Sequence, residues 1–170
     1  MIKTRTAIID KTKNNTIIKK YIGTLKKTDA HRYGPKNCVC GSDLKTLFNY
    51  EMELLSRLKN EKHFPQIVSS DPNNYSIEES YCGDTIKNLK NQNSLKIPSN
   101  WEQQIQEIVD SLNKNNIYHN DIAISNICIL DNIIYLIDFG CCQPLDLKLK
   151  QNYDGRDNLI DLTKLFRSLL

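Results

Sequence analysis

The sequence predicts an α+β chain, with strands concentrated in its first half and helices in its second. Three observations point there. The N-terminal runs alternate and are rich in β-branched residues. Two longer stretches, around 43–60 and 100–115, carry apolar residues at helical spacing. A short apolar hairpin then precedes a last amphipathic run, 157–169.

Taken in order, Thr4 to Ile9 predicts a strand, Lys11 to Asn15 a polar turn, and Thr16 to Ile22 a second strand that closes a hairpin. Gly23 to Ser42 is polar, contains Gly34-Pro35 and Gly41, and reads as a loop. Ser42 or Asp43 can cap the helix that follows, whose apolar side is Leu47, Phe48, Met52, Leu55 and Leu58. After Pro65, Ile67-Val68 and Tyr75 to Ile77 read as short strands around the turn 71–74. Gly83-Asp84 interrupts the pattern ahead of a short helix. Ser99 is the expected cap of the helix from Asn100 to Asn115, which turns Trp101, Ile105, Ile108, Val109 and Leu112 to one side. Ile117 to Asn126 reads as a loop. Ile127 to Leu130 and Ile133 to Ile137 read as strands joined by Asp131-Asn132. Leu159, Leu162, Leu165, Phe166 and Leu169 mark the apolar side of the last helix.

The chain has 170 residues, enough for one domain or two packed lobes sharing one site. Its 23 basic and 20 acidic residues leave a net charge of +3, too mild a balance to argue for direct nucleic-acid binding. No apolar run is long enough to span a membrane. The first residues lack the apolar stretch of a signal peptide, so a cytoplasmic setting is the expectation. Cys38 and Cys40 are one residue apart, and Cys141 and Cys142 are adjacent. Neither pair has the spacing of a zinc knuckle, and adjacent cysteines make poor disulfide partners. Reduced thiols, with Cys82, Cys128 and Cys141 partly buried, are the plainer expectation.

The chemistry concentrates in His119-Asn120-Asp121-Ile122-Ala123-Ile124-Ser125-Asn126 and in Tyr135-Leu136-Ile137-Asp138-Phe139-Gly140. Phosphoryl transfer needs a carboxylate near the attacking hydroxyl and oxygen ligands for magnesium; positioning and charge neutralisation supply most of the rest. Asp121 and Asn126 close one loop. A hairpin from Asn126 returns the chain to Asp138, so their oxygens can converge on one Mg2+ ion, which favours few carboxylates plus phosphate and water.

The H-x-D-x-x-x-x-N loop followed by D-F-G resembles the protein-kinase superfamily. The resemblance implies a reduced bilobal kinase-like fold: a small sheet-rich N-lobe with one helix over 1–79, a hinge at 80–84, and a short, mostly helical C-lobe over 85–170. It implies ATP and Mg2+ as cofactors, Asp121 as the catalytic-loop aspartate, Asn126 and Asp138 as catalytic metal ligands, and a structural role for His119. Ile17-Ile18-Lys19 resembles the strand that ends in the nucleotide lysine. Alternation puts Ile17 and Lys19 on one face, with Lys20 turned away. Glu51 is the implied ion-pair partner of Lys19, with Glu53 as the alternative. Glu79 to Asp84, including Tyr81, resembles the segment whose backbone meets the adenine. Asp161 resembles the aspartate that anchors the catalytic loop from below; a plain surface carboxylate is the other reading.

Other features depart from the family pattern. No G-x-G-x-x-G precedes Lys19, and the chain looks as if it starts at the family's second strand. Asn120 stands where many relatives have Arg, Ala123 where Ser/Thr kinases carry Lys, and no A-P-E follows Gly140. Minimal atypical kinases, including the small kinase-like ATPase of the tRNA-threonylcarbamoylation complex, are the nearest pattern. Aminoglycoside-type phosphotransferases share the loop but usually lack D-F-G. The expected function is an ATP- and Mg-dependent phosphotransferase, of the serine/threonine protein-kinase type or an autophosphorylating atypical kinase. A pseudokinase-like nucleotide-binding module and an ATPase subunit of a larger complex are the alternatives. With so small a core, a protein partner that completes the fold is also a reasonable expectation.

Overall fold

The computed structural model describes residues 1–3, 7–23, 43–144 and 158–170. Most of the predicted loop 23–42, with Ser42, Cys38 and Cys40, lies outside the described residues, as do Thr4 to Thr6 and Asp157. The described residues form an α+β chain that divides into two compact units. Residues 1–60, 65–81 and 139–141 make the first; residues 61–64, 82–138 and 142–170 make the second. The chain thus passes from the first unit to the second at Tyr81–Cys82, within the 80–84 stretch. Two short excursions, 61–64 and 139–141, break the simple 1–79 and 85–170 division.

In the first unit, β1 (Ile2–Lys3), β2 (Ala7–Lys11), β3 (Thr16–Tyr21), β4 (Ile67–Asp71) and β5 (Ser76–Ser80) form one antiparallel sheet in the order β1-β2-β3-β5-β4. β1 precedes the predicted hairpin and pairs with its first strand: Ile2 lies opposite Ile9 and Lys3 opposite Ile8. In β3, Lys19 and Tyr21 are buried while Ile18 and Lys20 are exposed, the period of two that a one-sided sheet imposes. Helix α1 (Leu44–Arg57) lies between β3 and β4 in the chain and packs on β3 and β5 through Leu47, Phe48, Leu54 and Leu55. Its cap is Asp43, whose carboxylate accepts from the Thr46 N–H at 2.9 Å. That bond holds the Asp43 carboxyl below its ordinary value.

The second unit carries more strand than the sequence predicts. β6 (Asp84–Thr85), β8 (Ile127–Leu130) and β9 (Ile133–Leu136) form a three-stranded antiparallel sheet in the order β6-β8-β9. β7 (Ile117–Tyr118), in a stretch expected to be loop, pairs with β10 (Gln143–Pro144). The β8–β9 turn places Asp131 at φ 50 and Asn132 at φ 62, the left-handed pair that a two-residue hairpin requires. Gly83 has φ 93, and a Cβ there would fall 2.3 Å from the Ile129 carbonyl oxygen, so only glycine fits against β8.

Among the described residues, three helices belong to the second unit: α2 (Ile86–Asn91), α3 (Trp101–Lys114) and α4 (Asn158–Arg167). The N-cap of α3 is Asn100 rather than Ser99, and it makes no side-chain capping bond. Ile105, Ile108, Val109 and Leu112 of α3 are buried, and α3 packs on β7, β9 and α4. Trp101 stacks on Phe166 with ring centroids 5.6 Å apart. Leu159 is exposed, so the buried side of α4 is narrower than its sequence suggests: Asn158, Leu162 and Phe166. Truncating Leu112 or Phe166 to alanine would open a cavity in this layer worth about 3–5 kcal/mol. No helix among the described residues is long and apolar enough to cross a membrane.

Candidate functional site

The sequence-predicted residues fall into two clusters, one in each unit. In the first unit, Lys19 Nζ donates to both Glu51 oxygens, at 2.9 and 2.8 Å. β3 and α1 bring the two together, with Lys19 8% and Glu51 1% exposed. Glu53 is not the partner: it pairs with Arg57 on the exposed side of α1. Lys20 stays on the outer face of the sheet. Two further donors converge on Glu51. The Tyr21 hydroxyl donates to Oε2, and the Phe139 backbone N–H donates to Oε1 at 3.4 Å. The short 3-10 turn Phe139–Cys141 packs on α1, with the Phe139 ring fully buried. A carboxylate out of water is tolerated when donors surround it, and here an ammonium, a phenol and an amide do so.

Glu79 and Tyr81 belong to the same unit. Glu79 is buried in β5, opposite Ile17 of β3 and Ile67 of β4. Tyr81 follows β5 with Lys11 Nζ 3.4 Å from its ring centroid, a cation–π contact that joins the end of β2 to this residue.

In the second unit the loop from His119 to Asn126 is built on hydrogen bonds to the backbone. His119 is fully buried; its Nε2 donates to the Ile137 carbonyl at 3.0 Å, and its Nδ1 accepts from the Asp121 N–H at 3.4 Å. One proton, on Nε2, serves both contacts. Asn126 Nδ2 donates to the Asp121 carbonyl and to Asp121 Oδ2, both at 2.9 Å. Those two acceptors fix which end of the amide is nitrogen and leave its Oδ1 facing away from Asp121. The Asn126 carbonyl accepts from the Ile137 N–H at 2.9 Å, so the residue before Asp138 is tied to the residue that closes the loop. Asp138 has φ 68, a left-handed backbone that aspartate adopts at local cost, at the point where the chain leaves β9. Asp121 is exposed and Asn126 buried.

The loop is anchored from below by Asn158, not by Asp161. Asn158 is 1% exposed; its Oδ1 accepts from the His119 N–H at 3.1 Å and its Nδ2 donates to the Ile117 carbonyl at 2.9 Å. Asp161, one turn along α4, is half-buried and accepts from the Tyr118 hydroxyl at 3.0 Å. Sequence reasoning passed over Tyr21 and Asn158. Tyr21 carried a usable signal, lying two residues from Lys19 on the same strand face. Asn158 carried none, because nothing distinguishes it from the other asparagines.

Among the described residues no three His, Cys, Asp or Glu side chains gather to hold a metal alone. Asn126 Oδ1 and the Asp138 carboxylate are hard-oxygen groups of the kind that magnesium takes. Cys82, Cys128 and Cys142 are buried and Cys141 is half-buried. Burial pushes the Cys128 thiol well up, away from reactive thiolate character.

No protein-family model matches the sequence, and no curated protein is significantly similar to it.

Proposed function

We propose that the chain is an ATP- and Mg-dependent phosphotransferase of reduced, bilobal protein-kinase-like fold, acting on a serine or threonine hydroxyl of a protein or on itself. The observation that carries this reading is the buried Lys19–Glu51 pair, which also takes the N–H of Phe139, the residue after Asp138. A buried ion pair adds little net stability over an apolar pair of similar volume, so its presence calls for a use beyond packing. Holding a lysine for nucleotide phosphates is such a use. In the second unit, the exposed Asp121 carboxylate would orient an attacking hydroxyl and accept its proton. Asn126 Oδ1 and Asp138 would hold Mg2+. Magnesium bound there would neutralise the charge that develops on the transferring phosphoryl oxygens. Glu79 and Tyr81 stand beside the chain crossing, where the adenine would meet backbone.

A second reading is supported by the connection between β1 and β2. Only three residues, Thr4-Arg5-Thr6, separate Lys3 from Ala7, and none is glycine. A phosphate-covering glycine loop has no counterpart there, which favours a pseudokinase-like module that binds nucleotide without turning it over. Asp138→Ala tests the common part of both readings. Magnesium-dependent binding of a fluorescent ATP analogue should be lost in this variant, while binding without magnesium persists. Magnesium dependence equal to that of the wild type would refute the metal assignment.

A further inference from the structure

We propose that His63 is a positioning residue for Asp138, acting through the outer edge of strand β9; the proposal rests on the phosphotransferase reading above. Among the described residues β9 pairs with β8 on one side only, and a strand edge without a neighbouring strand leaves its N–H and C=O groups needing partners. Here that edge is filled by single residues. The Ile134 N–H donates to Gln104 Oε1 at 2.8 Å, and the Ile134 carbonyl accepts from His63 Nδ1 at 2.7 Å. The Leu136 N–H donates to the His63 carbonyl at 3.0 Å. The next residue, Ile137, is tied by its N–H to Asn126 and by its carbonyl to His119. Asp138 therefore leaves a strand held on both sides up to its own peptide bond. His63 supplies two of the three bonds on the outer side.

The ring of His63 is itself aimed. It is 2% exposed, and its Nε2 donates to Glu107 Oε2 at 2.8 Å. Glu107 on α3 is in turn held by Gln103 Nε2 at 2.8 Å and by Lys62 Nζ at 3.3 Å. A carbonyl and a carboxylate only accept, so the ring serves both when each nitrogen carries a proton. Removing the imidazole leaves the Ile134 carbonyl buried without this donor, and the edge of β9 loosens just before Asp138. Partners that act one step behind a metal ligand commonly change metal affinity without touching the metal.

The test is a magnesium titration of binding of a fluorescent ATP analogue to the full chain, with amide exchange of Ile134 and Leu136 followed in the same variants. In His63→Ala the magnesium concentration for half-maximal binding should rise about tenfold. Binding without magnesium should stay as in wild type, and the two amides should exchange faster. Glu107→Ala should shift the titration less, in the same direction. Glu107→Gln, whose amide oxygen still accepts from Nε2, should restore it. If His63→Ala does not fold, the contrast between the two Glu107 variants decides the matter. Faster amide exchange with an unchanged magnesium titration would show His63 to be purely structural and overturn the proposal. Equal weakening with and without magnesium would overturn it as well. A wild-type chain that binds no nucleotide in the presence of magnesium would instead refute the phosphotransferase reading, and the proposal with it.

Discussion

In the buried cluster of the first unit, Glu51 is held chiefly by other side chains, Lys19 and Tyr21, together with the backbone amide of Phe139. In the loop of the second unit, neutral polar side chains are held largely through backbone. His119 bonds the Ile137 carbonyl and the Asp121 amide, Asn126 bonds the Asp121 carbonyl, and Asn158 bonds the His119 amide and the Ile117 carbonyl. The first cluster is dry, and the second ends in an exposed aspartate. The difference bears on stability. A group whose partners are buried charges cannot be removed without stranding them, whereas the exposed Asp121 can be changed while the loop beneath it stays anchored.

The sharpest way to break that contrast is Glu51→Ala. It strands the Lys19 ammonium in a buried site, and should lower unfolding stability in urea by about 3–5 kcal/mol. A loss near zero would mean that Lys19 reaches water on its own and that the first cluster is no drier than the second. Tyr21→Phe keeps the ring and removes one bond to a carboxylate. Its expected loss is smaller, about 1.5–3 kcal/mol by the same measurement, with the Lys19–Glu51 pair retained. The smallest effect belongs to Glu107 in the second unit. The His63 bond, with help from Gln103 and Lys62, holds its carboxyl down from the ordinary 4.5 to about 2. A depressed carboxyl stabilises the fold fully above the ordinary value, and that contribution is lost as pH falls through the depressed one. The melting temperatures of wild type and Glu107→Gln should therefore differ most near neutral pH and converge between about pH 4.5 and pH 2. Because Glu107 is more than one-third exposed, the gap should correspond to less than about 1 kcal/mol. A gap that widens on acidification would contradict the sign.

Much of this contrast was legible in the sequence where period and turn chemistry dominate. Alternation in Thr16 to Ile22 put Lys19 and Lys20 on opposite faces of the strand, as found. Helical spacing gave α1 and α3, and Asp131-Asn132 gave the β8–β9 hairpin. What escaped depends on partners distant in the chain. β7 is two residues long and exists through pairing with Gln143–Pro144, which no local pattern announces. β6 is equally short and leans on β8. The cap of α3 moved from Ser99 to Asn100, within the usual uncertainty of a helix end. The loop anchor moved from Asp161 to Asn158, because a neutral amide can donate to one backbone group and accept from another, where a carboxylate only accepts. Several asparagines also serve the backbone: Asn15, Asn60, Asn93, Asn116, Asn120 and Asn132 all take left-handed φ values, which asparagine adopts more readily than most residues.

The central claim, that the second cluster is chemical rather than structural, is tested most directly by transfer of γ-labelled phosphate from ATP with magnesium, comparing wild type with Asp121→Asn. The account predicts label on protein with the wild type and a rate reduced by about 10³-fold or more in the variant, with thermal stability and nucleotide binding unchanged. Release of free phosphate without labelled protein would favour an ATPase subunit, and binding without any turnover a pseudokinase-like module. Undiminished transfer by Asp121→Asn would contradict the role assigned to Asp121 outright.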